Sequence, residues 1–133
     1  MALDIWVGDW NEHGSKLITS FDPEAYYKFL YPLFEQFETV CGQFICQYDG
    51  AQFGPSSLDQ ISKLIDQAEK LIRQQEEVFE VHMGTFLGTS KHPKQEEIYE
   101  SVSRDDYLQF ISEWRSALLK ARQDNKPLLF YGD

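Results

Sequence analysis

The last quarter of the sequence, residues 103–133, constrains the fold most because it predicts one complete helix that leads directly into a strand. Ser103 is a typical N-cap residue, and Asn125 followed by Pro127 is a typical helix end. Between them, apolar residues recur every three or four positions, as on the buried side of a helix: Tyr107, Phe110, Ile111, Trp114, Leu118 and Ala121. The apolar and aromatic residues at 128–131 then favour a strand.

The first half of the sequence predicts a hairpin, a helix and a further strand. Apolar residues alternate with other residues at 3–7, and a second strand is predicted at 16–21, so the two should pair antiparallel. Asp22 is a typical N-cap for the next helix, which Pro32 is expected to kink or to divide into two. Strand character follows over residues 42–54.

The middle of the sequence predicts the most regular helix and another strand. Ser57 and Gln60 have the spacing of a capping box at the start of an amphipathic helix. A strand is predicted at 78–87, and residues 89–103 are predicted to form a polar, exposed connection with room for a short edge strand at 98–102. These elements predict an α+β fold, in which about three helices pack on one face of a four- to five-stranded, mainly antiparallel sheet.

The chain has 133 residues and is expected to form a single globular domain over residues 1–133. Its net charge is −10 and is unevenly placed, since residues 1–59 contain nine acidic and only two basic residues. Such a surface repels the phosphates of nucleic acids, so direct nucleic-acid binding is not expected. It attracts a basic protein and accelerates the encounter through long-range electrostatics.

Aromatic residues in the acidic half suggest how a partner would be bound. Tyrosine and tryptophan are enriched in protein interfaces, and the chain contains seven tyrosines and three tryptophans. The predicted partner-binding residues combine rings with carboxylates: Trp6, Asp9, Trp10, Glu12, Tyr31 and Glu35. The sequence therefore favours a non-catalytic, acidic protein-interaction module. An inhibitor of a basic protein, resembling an immunity protein or an antitoxin in its charge, has this profile, and a homodimer formed through an exposed strand or aromatic patch is a further expectation.

A catalytic alternative depends on a cysteine and a histidine. The sequence contains none of the common phosphate-binding, nucleophile-elbow or zinc-protease motifs, and no cofactor or metal is expected. His82 and Glu80 lie two residues apart on one side of a predicted strand, where a carboxylate can orient an imidazole for proton transfer. The simpler interpretation of His82 is a half-exposed strand histidine that pairs with a neighbouring acid.

Of the two cysteines, Cys41 is the better nucleophile candidate because Cys46 lies on an aromatic side, where a thiol is inert. A small-molecule-binding or hydrolytic domain using Cys41, His82 and Glu80 is thus the competing hypothesis.

The cellular location is predicted from what the sequence lacks. Two cysteines with four residues between them form neither a disulfide framework nor a usual zinc-binding pattern. No apolar run approaches the roughly 18 residues needed to cross a bilayer, and no secretion signal precedes the first strand. We therefore expect a soluble cytoplasmic protein without membrane contact.

Overall fold

A computed structural model describes residues 3–8 and 15–132. Within this part of the chain, helices and strands follow each other in a mixed order: β1 (Leu3–Val7), β2 (Lys16–Phe21), α1 (Ala25–Cys41), β3 (Gly50–Phe53), α2 (Leu58–Arg73), β4 (Val78–Phe86), β5 (Glu96–Ser103), α3 (Arg104–Asp124) and β6 (Leu128–Gly132). A single 3₁₀ turn, Pro55–Ser57, precedes α2. The α+β fold predicted from the sequence is confirmed.

Four of the six strands form an antiparallel sheet, sheet A, in the order β2-β1-β6-β3. Ile5 of β1 lies opposite Thr19 of β2 on one side and Phe130 of β6 on the other. Phe130 in turn lies opposite Ala51 of β3. The last strand of the chain is therefore an inner strand of sheet A, and it joins the N-terminal hairpin to β3.

The remaining two strands, β4 and β5, pair antiparallel and form a separate sheet, sheet B. Glu80 lies opposite Ser101 and His82 opposite Tyr99, but the register shifts after His82 because Met83 is an extra residue on β4. Such a bulge increases the local twist of the strand that contains it. In sheet B, therefore, β5 is a regular strand, whereas the bulge at Met83 interrupts β4.

Helices α1 and α3 pack on one face of sheet A through large aromatic side chains. Trp114 of α3 is completely buried and meets the ring of Phe21 at 5.2 Å and that of Phe130 at 6.0 Å. Phe37 of α1 meets Phe53 of β3 at 5.6 Å. Since Phe21, Phe53 and Phe130 come from three strands of sheet A, this face forms the centre of the core.

Sheet B and α2 join the same core. Phe79 of β4 contacts Phe29 of α1 at a ring distance of 5.2 Å and stacks on Tyr107 of α3 at 6.4 Å. The α2 helix buries a row of apolar residues, and the carboxylate of its Asp66 accepts a hydrogen bond of 2.7 Å from Arg115 of α3. The predicted apolar stripe of α2 is therefore a core-facing surface.

The predictions for the C-terminal segment are confirmed in detail. The hydroxyl of Ser103 accepts a hydrogen bond of 3.3 Å from the backbone N–H of Asp106, as an N-cap does. At the other end, Asn125 has a left-handed backbone with φ of 52°. Both helix ends could be predicted because each depends on residues within one turn of the boundary.

The first helix is not divided at Pro32, so the expectation of two short helices is wrong, whereas a kink at Pro32 stays a prediction. The α1 helix begins at Ala25 rather than directly after Asp22, and it continues through Pro32 to Cys41. Pro32 lies on the exposed side, while Leu30 and Phe34 on either side of it are completely buried. Packing of this buried side outweighs the hydrogen bond that proline cannot donate.

The extents of two predicted strands are also wrong. Within 42–54 only Gly50–Phe53 forms a strand, because the preceding residues form a loop whose Ile45 carbonyl accepts a hydrogen bond of 2.8 Å from the Tyr27 hydroxyl. Conversely, the connection predicted at 89–103 contains the eight-residue strand β5, which obtains its backbone partners from β4.

Candidate interaction surface

The β4–β5 hairpin is attached to the core at its base and exposes apolar residues toward its turn. One face of the hairpin, the inner face, packs on the helices at its base, where Phe79, Val81 and Val102 are buried. Farther along, the same face carries Phe86 and Ile98, which are 44% and 47% exposed. Because the strand register makes these two large side chains diagonal neighbours on one face, their joint exposure marks a candidate contact surface.

The opposite, outer face of the hairpin carries a polar network between the two strands. His82 is hydrogen-bonded to the carboxylate of Glu97, which also accepts a hydrogen bond of 2.8 Å from the hydroxyl of Thr85. These two hydrogen bonds hold the pKa of the Glu97 carboxyl below its ordinary value, with His82 contributing most. The His82 ring also meets the ring of Tyr99 edge-on at 5.3 Å. The network links the strands on the solvent side.

The carboxylate that pairs with His82 is therefore not the one considered from the sequence. Glu80 instead accepts a hydrogen bond from the hydroxyl of Ser101 on β5. Glu97 was missed because it lies in the stretch predicted to be a connection, and only the strand register places it next to His82. The geometry agrees with the simpler interpretation of His82, a strand histidine that pairs with a nearby acid.

The structure does not bring Cys41 and His82 together. Cys41 is the half-buried last residue of α1, and Cys46 is half-buried in the following loop; neither forms a disulfide. The α1 helix packs against the inner face of the hairpin through Phe29 and Phe79, whereas His82 projects from the outer face. The hydrolytic hypothesis therefore lacks a site that contains both of its main residues.

Ion pairs are concentrated on two of the three helices in the described part of the chain. Six ion pairs of lysine or arginine are found among the described residues, and all of them lie on α2 and α3, for example Arg115 with Glu69 and Arg122 with Asp59. The acids of α1 and of the hairpin strands are in none of these six. They are Glu35 and Glu38 on α1 and Glu80, Glu96, Glu97 and Glu100 on the hairpin. These acids are thus not balanced by ion pairs with lysine or arginine, although α1 contains Lys28 and the connection between β4 and β5 contains Lys91 and Lys94.

Of the predicted partner-binding residues, the three that the structure describes occupy two separate places. Trp6 lies on the face of sheet A opposite the helices, because its neighbours Ile5 and Val7 are buried in the core. Tyr31 and Glu35 are exposed one turn apart on α1, which packs on the helical face. The other three predicted residues, Asp9, Trp10 and Glu12, lie outside the described residues. Within the described part of the chain, therefore, Tyr31 and Glu35 share a surface and Trp6 does not belong to it.

The ring of Tyr31 is supported by other aromatic rings. It meets Phe44 edge-on at 5.7 Å and Tyr27 at 6.0 Å, and it remains 40% exposed. Glu35 and Glu38 follow on the exposed side of the same helix. We call Tyr31, Glu35 and Glu38 the α1 surface; it combines a positioned ring with two carboxylates.

A groove between α1 and α2 is a candidate site for binding a small molecule. It has a volume of about 260 Å³, with Phe37, Val40 and Leu64 as its apolar part and Gln60 and Lys63 among its polar residues. Among the described residues that line it, none is a cysteine or a histidine. The groove is therefore separate from the residues of the hydrolytic hypothesis.

The described residues show neither a metal centre nor a membrane span. Among residues 3–8 and 15–132, no group of three or more histidine, cysteine, aspartate or glutamate side chains is arranged to hold a metal ion. None of the helices in these ranges has both the length and the apolar character needed to cross a bilayer.

Comparison with known proteins gives no relative of this chain. No family model, curated protein or solved structure matches it.

Proposed function

We propose that this protein is a non-catalytic, acidic protein-interaction module that binds a basic protein, with the charge character of an immunity protein or an antitoxin. The observation that supports this proposal most is the separation of charges described above. Five of the seven acids on α2 and α3 form ion pairs with lysine or arginine, whereas none of the described acids on α1 and the hairpin strands does. Both cysteines are free, which suits a reducing compartment such as the cytoplasm.

Exposed rings and apolar side chains accompany the unbalanced acids. On α1, Tyr31 stands one turn before Glu35, and on the hairpin Ile98 and Tyr99 directly follow Glu97. Charge accelerates association and selects the sign of the partner, while buried rings and aliphatic groups slow dissociation. A surface that contains both features is suited to a tight complex with a basic protein.

The proposal is tested by capture on the immobilised full chain at increasing salt. We expect the captured proteins to be basic and to elute as the salt rises from about 0.1 M, where charges separated by more than about 10 Å are already screened. Mass spectrometry then identifies each protein, and its binding is measured again with purified material. Capture of acidic or neutral proteins only, or of none, would contradict the proposed function.

Variants of the α1 surface and of the hairpin show which of the two the partner binds. Tyr31→Ser combined with Glu35→Gln alters the α1 surface, and Glu96→Gln combined with Glu100→Gln alters the hairpin. Asp66→Asn on α2 is the matched control, because it removes an acid that is already paired with Arg115. We expect at least one of the two double variants to bind the purified basic partner at least tenfold more weakly, and Asp66→Asn to bind within twofold of the unaltered protein.

The groove between α1 and α2 supports a second candidate function, small-molecule binding. A ligand that binds the folded state raises the unfolding temperature through linkage. A thermal-shift screen on the unaltered chain and on a variant with Val40→Gln, at an exposed position that lines the groove, tests this candidate. A shift that is lost in the Val40→Gln variant, together with no capture of basic proteins, would favour the pocket function over the interaction module.

A further inference from the structure

The β5 strand presents a long strand edge without a neighbouring strand. Within the described residues its only strand partner is β4, so the other edge of its eight residues is unpaired. Five of the six residues from Glu96 to Ser101 are exposed. An unpaired edge carries backbone N–H and C=O groups that can pair with a further strand. At about 3.4 Å per residue, this edge is about 27 Å long.

The edge of β4 is less suitable for strand addition than that of β5. The bulge at Met83 interrupts the regular register of β4, and Gly84 has a φ of 153°, a conformation that favours glycine. Bulges are among the features that protect edge strands from pairing. The β5 strand has neither a bulge nor a proline nor a lysine, so it lacks three of the usual protections.

The side chains of β5 indicate the charge of the strand that would pair with it. Glu96, Ile98 and Glu100 lie on the inner face, and Glu97 and Tyr99 lie on the outer face. No lysine or arginine is present in either strand of the hairpin. Opposite charges on paired strands are stabilising and like charges are destabilising. A second copy of β5 would bring glutamates close to glutamates, whereas a basic strand would be complementary.

We infer that β5 accepts an extended, lysine- or arginine-bearing segment of a partner protein as a third strand of sheet B. The partner's backbone pairs with the free edge, its basic side chains meet Glu96, Glu97 and Glu100, and an aliphatic side chain covers Ile98. This inference rests on the proposed function and specifies how the basic partner is bound. Strand addition also gives a role to Ile98 and Tyr99, which are large apolar and aromatic side chains that remain exposed outside the core.

A synthetic peptide that matches this edge tests the inference. The probe is the capped octapeptide Thr-Val-Thr-Lys-Thr-Val-Lys-Lys, which places lysines opposite the three glutamates and valine opposite Ile98 in an antiparallel register. We expect saturable binding to the full chain, chemical-shift changes centred on β5, and slower amide exchange along that strand. The same peptide with alternate backbone amides methylated should bind at least tenfold more weakly, because it cannot donate the strand hydrogen bonds.

Protein variants provide the matched controls. Glu96→Lys with Glu100→Lys should weaken peptide binding at least tenfold, and Glu96→Lys alone, at an exposed position, provides a milder change that preserves the fold. Glu35→Lys on α1 changes the net charge by the same amount as Glu96→Lys and should change binding less than twofold. Equal binding of the methylated peptide, equal loss with Glu35→Lys, or a dimer that forms through β5 in the absence of peptide would each overturn the inference.

The inference and the proposed function fail in different ways. If basic proteins are captured by the Glu96→Lys/Glu100→Lys variant as well as by the unaltered chain, but not by the Tyr31→Ser/Glu35→Gln variant, strand addition at β5 is wrong and the function stands. If the unaltered chain captures no basic protein, the function is wrong, and binding of the peptide does not rescue it.

Discussion

At the scale of single residues, Gly132 shows how one absent side chain permits a close contact. The backbone N–H of Gly132 donates a hydrogen bond of 3.0 Å to the carbonyl of Asp49, which brings the end of β6 against the loop before β3. A Cβ atom at this position would lie only 1.7 Å from the carbonyl oxygen of Gln47. Because that oxygen belongs to the backbone, a side chain fits only if the loop moves away from the strand.

Replacing this glycine therefore tests the packing of the loop. We expect Gly132→Ala to lower the free energy of unfolding by about 2–3 kcal/mol, as overpacking in a close-packed interior does. Gly54→Ala is the matched control, since nothing lies within 4 Å of the Cβ that it adds. Denaturant unfolding measures both variants. Equal stabilities of the two would show that the loop does not pack against Gly132.

At the scale of secondary-structure elements, the two serines that begin α2 and α3 differ in what they do. Ser103 has an extended backbone, and its hydroxyl reaches the N–H of Asp106. Ser57 precedes α2, but it ends a 3₁₀ turn, has a helical-region backbone and makes no side-chain cap hydrogen bond. An N-cap residue normally needs extended backbone angles for its oxygen to reach the first turn. The capping box predicted for α2 is therefore wrong, although the helix it was expected to start is present.

This difference predicts unequal effects of two identical substitutions. Ser103→Ala removes a cap and should lower the free energy of unfolding by about 1 kcal/mol. Ser57→Ala removes no such hydrogen bond, and we expect it to cost less than about 0.5 kcal/mol, as surface substitutions usually do. Thermal or denaturant unfolding of both variants provides the comparison. A larger loss for Ser57→Ala would contradict the assignment of the caps.

At the scale of the whole molecule, buried tyrosines connect elements that are distant in sequence. The hydroxyl of Tyr107 on α3 donates to the carbonyl of Tyr26 on α1, and the hydroxyl of Tyr27 donates to the loop carbonyl of Ile45. Burial is the main cause that raises the pKa of each of these three tyrosines above its ordinary value. The two hydrogen bonds that connect α3, α1 and the loop therefore require protonated phenols.

The raised pKa values predict how stability changes at alkaline pH. Because the folded state keeps protons that the unfolded state releases near pH 10, the stabilisation is complete below about pH 10 and is lost as the pH rises further. Of the seven tyrosines, we expect Tyr26, Tyr27 and Tyr107 to ionise only as the protein unfolds. In one pH titration, tyrosinate absorbance measures the ionisation and circular dichroism measures the unfolding. Complete ionisation of all seven while the circular dichroism is still native would contradict it.

Non-local pairing explains why part of the fold and of the candidate surface could not be predicted. The β5 strand is rich in glutamate, and its sequence predicts at most a short strand at 98–102. Pairing with β4 extends the strand over Glu96–Ser103. The pairing of His82 with Glu97 follows from that register and spans 15 residues. Similarly, the loop before β3 resembles a strand by composition, but it is held by Tyr27 and Gly132 instead.

Local sequence patterns were enough to predict α2, α3, the N-terminal hairpin and the last strand, because turns and apolar periodicity depend on a few neighbouring residues. The sequence also determined the acidic net charge and the surplus of aromatic residues. Long-range contacts, in contrast, place β6 inside sheet A, allow α1 to continue through Pro32, and set the glutamates of β5 beside exposed Ile98 and Tyr99. These features depend on contacts between residues far apart in the chain, and such contacts override local preferences for helix or strand.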